Sequence, residues 1–284
     1  APPALMREIA LEILRRKLVV TWWANIRFEK SFTSSLAKLL STSGCIAVSG
    51  GLEVASDRLL KLIDKGVTVE QVAKVTRNLT EEGIMVHAYL MYGYPTQTIQ
   101  ETINSLEMVR QLFEAGVLKS GFWHQFALTA HSPIGLNPEA YGITPHVNEI
   151  TFANNDVEFT DKTGIDHNQF SEGLRKSLYN YMHGIGFELP LKEWFDFKIP
   201  PPTIARNYIQ STLQQNENWK IKPTSKVCWI ESLPTVEQVT RTKKGKTFKN
   251  IELTFDQKKE SFTLQLEPNL GKWLAETLSQ LSIY

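Results

Sequence analysis

The stretch VSGGLEVASDRLLKLIDKGVTVEQVAKVTRNLTEEGIMVHAYLMYGYPTQTIQET, residues 48–102, decides the reading of this chain. It begins on the end of a short apolar strand, residues 45–49, which Gly50-Gly51 closes. A helix is predicted over 56–63, with Ser56 as its candidate N-cap. A second helix is predicted over 68–82. It opens on Thr68 with Gln71 three residues on, the spacing of a capping box, and Gly66 and Gly83 punctuate its ends. Residues 84–91 then form a strand, and residues 98–113 a long amphipathic helix that Thr96 or Thr98 can cap.

Working outward, residues 3–16 have helical spacing with Leu5, Ile9, Ile13 and Leu14 on one side. Residues 19–25 form a β-branched and aromatic strand, 32–40 a helix, and 119–129 another strand. Regular alternation of strand and helix predicts parallel βαβ units with right-handed crossovers, about four parallel strands by residue 130. The strands are apolar at most positions, as strands covered on both faces are. Two features stand out. The chain opens on a helix, and its first strand would be a long apolar sheet edge. A strand upstream of residue 1 would explain both, and so would a helix capping a small open sheet.

After residue 136 the pattern changes. Residues 137–155 read as loop, and 166–183 and 202–214 as helices. The aromatic, proline-bounded segment FELPLKEWFDFKIPPP lies between those helices. Strands are predicted over 226–231, 250–256 and 261–266, with a helix over 272–281. The expected division is 1–135 as a parallel α/β unit, 136–220 as a loop and helical extension, and 221–284 as a small α+β module.

The 284 residues are 42% hydrophobic and 21% charged, with 31 Lys+Arg against 30 Asp+Glu. That is ordinary globular composition. The balanced charge argues against nucleic acid or an anionic membrane as the main partner. No apolar run approaches the roughly 20 residues of a membrane span. Two cysteines, Cys45 and Cys228, argue against a disulfide scaffold and fit a reducing cytoplasm.

In a parallel α/β unit the chemistry lies at the carboxyl ends of the strands. After the first strand come Asn25, Arg27 and Glu29, on one side by alternation. Arg27 there either holds a carboxylate in bidentate fashion or pairs with Glu29 on the rim. After the second come Ser49, Gly50, Gly51 and Glu53. The glycines either admit a ligand close to the backbone or make a tight turn. The segment is neither a Rossmann fingerprint nor a P-loop. After the third comes MYGYPTQT, residues 91–98, in which Met91, Gly93 and Pro95 are the candidate contacts. Gly93 suits close packing of backbone against a flat ring, and turn chemistry is the plainer account. His87, His124 and His131 are candidate pocket residues, with no zinc-ligand spacing between them. The basic run RTKKGKTFK, residues 241–249, reads as a solvated hairpin tip, with phosphate contact as the sharper alternative.

Residues 48–102 resemble the central part of radical S-adenosylmethionine (SAM) enzymes. The features that carry the resemblance are Gly50, Gly51 and Glu53, then Leu59-Leu60, Lys65-Gly66, Glu70, Gly83, and Gly93 with Pro95. With its flanking units the resemblance covers about residues 1–135. It implies a partial (β/α) barrel with its first strands upstream, and SAM lying across the strand ends. Glu53 with its glycines, and residues 91–95, would be near the adenosine. Asn25 and Arg27 would meet the ribose or the methionine moiety. The implied reaction is reductive cleavage of SAM by a [4Fe–4S] cluster, followed by hydrogen abstraction from a substrate. One departure is serious. The family binds its cluster through C-x-x-x-C-x-x-C, and two distant cysteines cannot supply that motif. The chain alone is therefore expected to be catalytically silent, as a truncated part of a longer enzyme. Two other readings stay open. One is a non-catalytic module that binds SAM or another nucleotide. The other is a hydrolase using Glu53 with Glu29 or Glu101. The substrate, and whether a cobalamin-binding domain precedes the barrel, are not readable here.

Overall fold

In a computed structural model of the chain, residues 1–146, 155–214, 224, 226–243, 246–256 and 261–283 are described. The first half alternates as the spacing predicts. Its elements are α1 (Pro3–Arg15), β1 (Trp22–Ile26), α2 (Ser34–Thr42), β2 (Cys45–Glu53), α3 (Asp57–Leu62), α4 (Val69–Glu81), β3 (Met85–Tyr92), α5 (Ile99–Glu114) and β4 (Ser120–Gln125). The four strands form one parallel sheet in the order β1-β2-β3-β4. The chain is thus α/β, with each strand returned to its neighbour by a helical crossover.

Alternation along the strands sorts side chains onto two faces. Val48, Gly50 and Leu52 of β2 and Val86, Ala88 and Leu90 of β3 are buried. They form one core with Leu36, Leu40, Val72, Leu79, Leu106 and Leu112 of the crossover helices. The opposite face stays open. By register it carries Asn25 beside Ser49, Ser49 beside His87, and Met91 beside His124. Trp23 is 63% exposed and Phe122 59% on this face.

The helix starts show which capping signals act. Thr68 accepts from the Gln71 amide at 3.2 Å, but the Gln71 side chain leaves the box and donates to the Phe28 carbonyl at 2.8 Å. Ser56 stands at the N-cap of α3 without a side-chain bond. Its neighbour Asp57 instead accepts from the Val69 amide at 2.9 Å, fastening the start of α4. Thr98, rather than Thr96, caps α5 through a complete capping box with Glu101.

The elements between the sheet and the C-terminal module are short strands and helices. These are β5 (Leu128–Thr129), α6 (Pro133–Leu136), β6 (Ile143–Pro145), β7 (Asp156–Val157), β8 (Phe159–Asp161), α7 (Ser171–Met182) and α8 (Tyr208–Leu213), of which α7 is the longest. β5 pairs with β7, and β6 with β8. The strand expected over 119–129 is therefore two, β4 and β5. The helix expected over 202–214 forms only as α8, because the Thr203 amide and the Ala205 carbonyl before it bond to Asn104 and Gln111 of α5. Phe170, Leu174, Leu178, Tyr181, Trp194 and Ile209 join the main core, so this segment shares the core of the sheet.

The C-terminal module has its own core of Ile251, Leu253, Phe255 and Leu278. It consists of β9 (Thr235–Lys243), β10 (Lys246–Asp256), β11 (Ser261–Leu266) and α9 (Pro268–Leu281), with an antiparallel sheet ordered β11-β10-β9. The first strand differs from expectation. Residues 226–231 contribute only a bridge from Trp229 to Ser282, and the third strand is β9. β9 alternates Thr and Val with charged residues and offers little apolar face, so its β-propensity is its only local signal. The basic run lies in the β9–β10 hairpin, where Lys243 pairs with Lys246, and its tip, residues 244 and 245, lies outside the described residues.

Candidate functional site

The carboxyl ends of β1 and β2 gather a charged rim. A register shift between Gly51 and Glu53 interrupts the β2–β3 ladder, and Glu53 adopts a left-handed φ of 58°. Such a conformation in a non-glycine residue costs energy and marks a position held by its surroundings. Here the Glu53 carboxylate turns back over Gly51 and pairs with Lys65 at 2.6 Å. A Cβ on Gly51 would lie 2.1 Å from Glu53 Oε1 and 2.7 Å from Lys65 Nζ. The ion pair thus occupies the space that a side chain at Gly51 would fill. Arg27 reaches the same rim, its guanidinium 3.5 Å from the Asp64 carbonyl.

Gly50 belongs to the helix-facing side. A Cβ there would stand 2.6 Å from the ring of fully buried Phe28. Its bareness serves packing of Phe28 on the sheet. Asn25 and Ser49 lie side by side on the open face. His87 shares that face, with Nδ1 2.8 Å from Ser120 Oγ and its ring edge-on to Tyr89 at 5.0 Å. Burial holds the His87 imidazole below its ordinary pKa.

Residues 91–98 divide by role. Met91 is buried in a second apolar cluster with Val54, Leu59, Tyr94, Leu128 and Ile134. Pro95 is buried in the loop that follows. Gly93 has a left-handed φ of 74°, and the His167 side chain fills the space beside it: a Cβ there would meet His167 Cβ at 3.1 Å and Cγ at 3.3 Å. Thr96 also has a left-handed φ, 68°, and its amide donates to Asp161 at 2.7 Å. His124 is on the open sheet face beside Met91, whereas His131 is exposed in the loop after β5, apart from both.

The rim is braced from outside. Arg58 bridges α3 to α5 through Glu101 at 2.5 and 2.8 Å and through the Thr96 carbonyl at 3.1 Å. Burial would raise the Glu101 carboxyl, but hydrogen bonds from Arg58 and the Thr98 amide outweigh it and hold the group below its ordinary value. Glu53 is committed to Lys65 and Glu101 to Arg58. The pair of carboxylates with separated pKa values that a hydrolase needs is not assembled here.

The donor set suits SAM and not the cluster. SAM presents a carboxylate, an ammonium group, ribose hydroxyls and a flat adenine. Arg27, Glu53, Asn25, Ser49 and exposed aromatic rings are complementary to those groups. A [4Fe–4S] cluster needs thiolates. Cys45 is buried at the amino end of β2, away from the rim, and burial pushes its thiol up to about 11. Cys228 is exposed beside the C-terminal module. Among the described residues no three of His, Cys, Asp or Glu are placed to hold a metal ion, and no helix is long and apolar enough to cross a membrane.

Residue 167 was not legible as a site residue. It lies 74 positions beyond Gly93, outside any motif, and only the fold brings the two together.

Comparisons with known proteins give the following similarities. Residues 9–109 match the family model described as the radical SAM superfamily. An uncharacterized methyltransferase of Pyrococcus horikoshii is 29% identical over 105 residues, which are 37% of this chain and 23% of that protein. The anaerobic magnesium-protoporphyrin IX monomethyl ester cyclase of Rubrivivax gelatinosus is 29% identical over 104 residues, 36% of this chain and 19% of the cyclase. The chain thus spans less than a quarter of the length of these curated relatives. Among solved structures, the radical SAM methyltransferase TsrM of Kitasatospora setae, with cobalamin and [4Fe–4S] cluster bound, is 16% identical, with a TM-score of 0.45 over 62% of this chain and 40% of that one. The matched span contains β1, β2 and β3 with their crossover helices, and over residues 9–109 the chain is similar to the radical SAM superfamily.

Proposed function

We propose that this chain is the SAM-holding part of a radical SAM enzyme, and that it binds SAM across the carboxyl ends of β1–β3. The observation that carries the reading is the rim itself: Arg27 and the Glu53–Lys65 pair stand at the ends of the adjacent strands β1 and β2, which carry Asn25 and Ser49 side by side on an open sheet face. Arg27 takes the carboxylate of the methionine moiety. Glu53, fixed by Lys65, accepts from the ribose hydroxyls, and Asn25 and Ser49 complete the hydrogen bonding along the face. Met91, Gly93 and Pro95 line the adenosine end, and His87 and His124 are on the side a substrate approaches. Bound SAM supplies the cleavable sulfonium bond of the family's radical chemistry. Cluster thiolates must come from outside these 284 residues, so the chain alone does not cleave SAM.

Calorimetric titration of the chain with SAM tests this reading. Binding is expected, and Arg27→Ala should weaken it about tenfold, the loss of roughly 1.4 kcal/mol. An Arg27→Ala chain that binds SAM as the parent does, or a parent that binds none, overturns the reading. A gene that encodes C-x-x-x-C-x-x-C upstream of the codon for Ala1 supports the catalytic assignment. The missing thiolates favour one second reading, a SAM-binding module without catalysis, and a gene without that motif points to it.

A further inference from the structure

Beyond the carboxyl ends of β3 and β4 lies a cavity of about 830 Å³ that is distinct from the rim. That volume accommodates a small organic ligand. Gly93, Gln125, Phe126, Phe159, Asp161 and His167 are among the residues that line it.

Three observations give the cavity a chemistry. First, His167 is only 8% exposed, and neither ring nitrogen has a hydrogen-bond partner among the described residues. An orphaned buried polar group costs about 1–3 kcal/mol, so native structures leave few of them without a reason. Second, the charge of the lining has one sign. Asp156, Glu158, Asp161 and Asp166 all contribute, with neither lysine nor arginine among the lining residues. Asp161 is fixed as a carboxylate. Burial opposes this, but hydrogen bonds from the Thr163 hydroxyl and from the Thr96 and Thr163 amides outweigh it. Third, Phe126 and Phe159 meet edge-to-face at 5.7 Å and are only partly buried, which leaves an apolar surface beside the charges.

The sign of this lining charge suits an organic cation. Among the described residues no three potential ligands converge on a point where a metal ion could bind. A planar or aliphatic amine satisfies every feature. Its ammonium group meets the acidic wall, and its body lies on the phenylalanines. Burial keeps the imidazole below its ordinary pKa, though Asp161 and Asp166 pull the other way. A neutral ring offers one donor and one acceptor to the ligand's polar atoms.

We infer that this cavity is a binding site for an amine-bearing small molecule, held by the carboxylate wall, by the unpartnered imidazole of His167 and by Phe126 and Phe159. That the amine is the substrate rests on the proposed SAM site at the ends of the same strands. The binding itself does not.

The experiment titrates the 284-residue chain with 2-phenylethylamine, its neutral isostere 2-phenylethanol, and phenylacetate. Binding is followed by calorimetry and by the ring-proton NMR signals of the histidines. The amine should bind about tenfold more tightly than the alcohol. Phenylacetate should not bind, and the His167 signal should move. His167→Leu should weaken amine binding about tenfold, and Glu158→Gln, at an exposed position, severalfold. Equal binding of amine and alcohol, preference for phenylacetate, or an unmoved His167 signal at about 10 mM amine overturns the inference. If His167→Leu does not fold, Glu158→Gln and the three-ligand comparison decide. No SAM is present, so failure here and failure of SAM to bind are separate results.

Discussion

Gly50 and Gly51 are neighbours in sequence and opposites in physics. A methyl group on Gly50 meets the ring of Phe28, which has no room to retreat inside the main core. Gly50→Ala should therefore cost about 1–3 kcal/mol in denaturant unfolding, the usual price of overpacking. The same change at Gly51 meets only the ends of the Glu53 and Lys65 side chains, which can swing aside. Gly51→Ala should cost under about 1 kcal/mol while displacing the ion pair, and should weaken SAM binding with little loss of stability. Equal destabilisation by both would show that the rim is packed, not merely filled. The cysteines allow a second check. Native chain treated with a maleimide near pH 8 should be labelled once, at exposed Cys228, because the Cys45 thiol is buried and held near 11. Two labels before denaturation would place Cys45 nearer the surface. At this scale the sequence showed which residues stand at strand ends, since that follows from alternation. It did not show that Gly50 faces Phe28, because that depends on a one-residue register, nor that His167 lies against Gly93.

Among the elements, α5 carries the most consequential side-chain network. Arg110 is buried on this helix, with Glu107 at 2.8 Å, Glu114 at 2.9 Å and the Phe187 carbonyl at 2.9 Å. Glu107 is buried too and also accepts from Gln111, which donates as well to the Ala205 carbonyl. Removing the cation alone leaves Glu107 uncompensated. Arg110→Ala should cost about 3–5 kcal/mol, whereas the double change Glu107→Leu with Arg110→Met should be close to neutral. A double mutant as unstable as the single one would mean that the Phe187 carbonyl contact, rather than charge, fastens the helical extension to α5. The helix and strand periods of the first half were legible because each element buries one face in a common core. The later elements were not. β9 has no apolar stripe, α8 starts late because Thr203 and Ala205 bond to α5, and of the apolar residues in 226–231 only Trp229 and Ile230 pack against a core.

For the whole molecule, acid should act through histidines before it acts through carboxylates. His87 and His167 are both held below the ordinary imidazole value of 6.5 by burial, so the unfolded chain binds their protons more readily than the folded one. Their contribution to stability is complete above pH 6.5. It is lost as the pH falls below 6.5 toward the folded pKa values, and no further below them. Each histidine can contribute a slope of at most about 1.4 kcal/mol per pH unit in that window. Glu101 and Asp161, with folded pKa values lowered, add a second loss only as the pH falls below their ordinary values of 4.5 and 3.8. Urea unfolding measured between pH 7.5 and 5, in steps of about half a unit, should show stability declining with pH below about 6.5. In His167→Gln the decline should become shallower, since one of the two proton sites is gone. If an amine occupies the cavity beside the neutral ring, adding 2-phenylethylamine should steepen the decline in the parent, because protonation of His167 would then also oppose the bound cation. Stability that is level from pH 7.5 to 5 would mean that both rings are free to titrate in the folded chain, and the orphaned imidazole at the mouth of β3 and β4 would lose its explanation as a group kept neutral for a ligand.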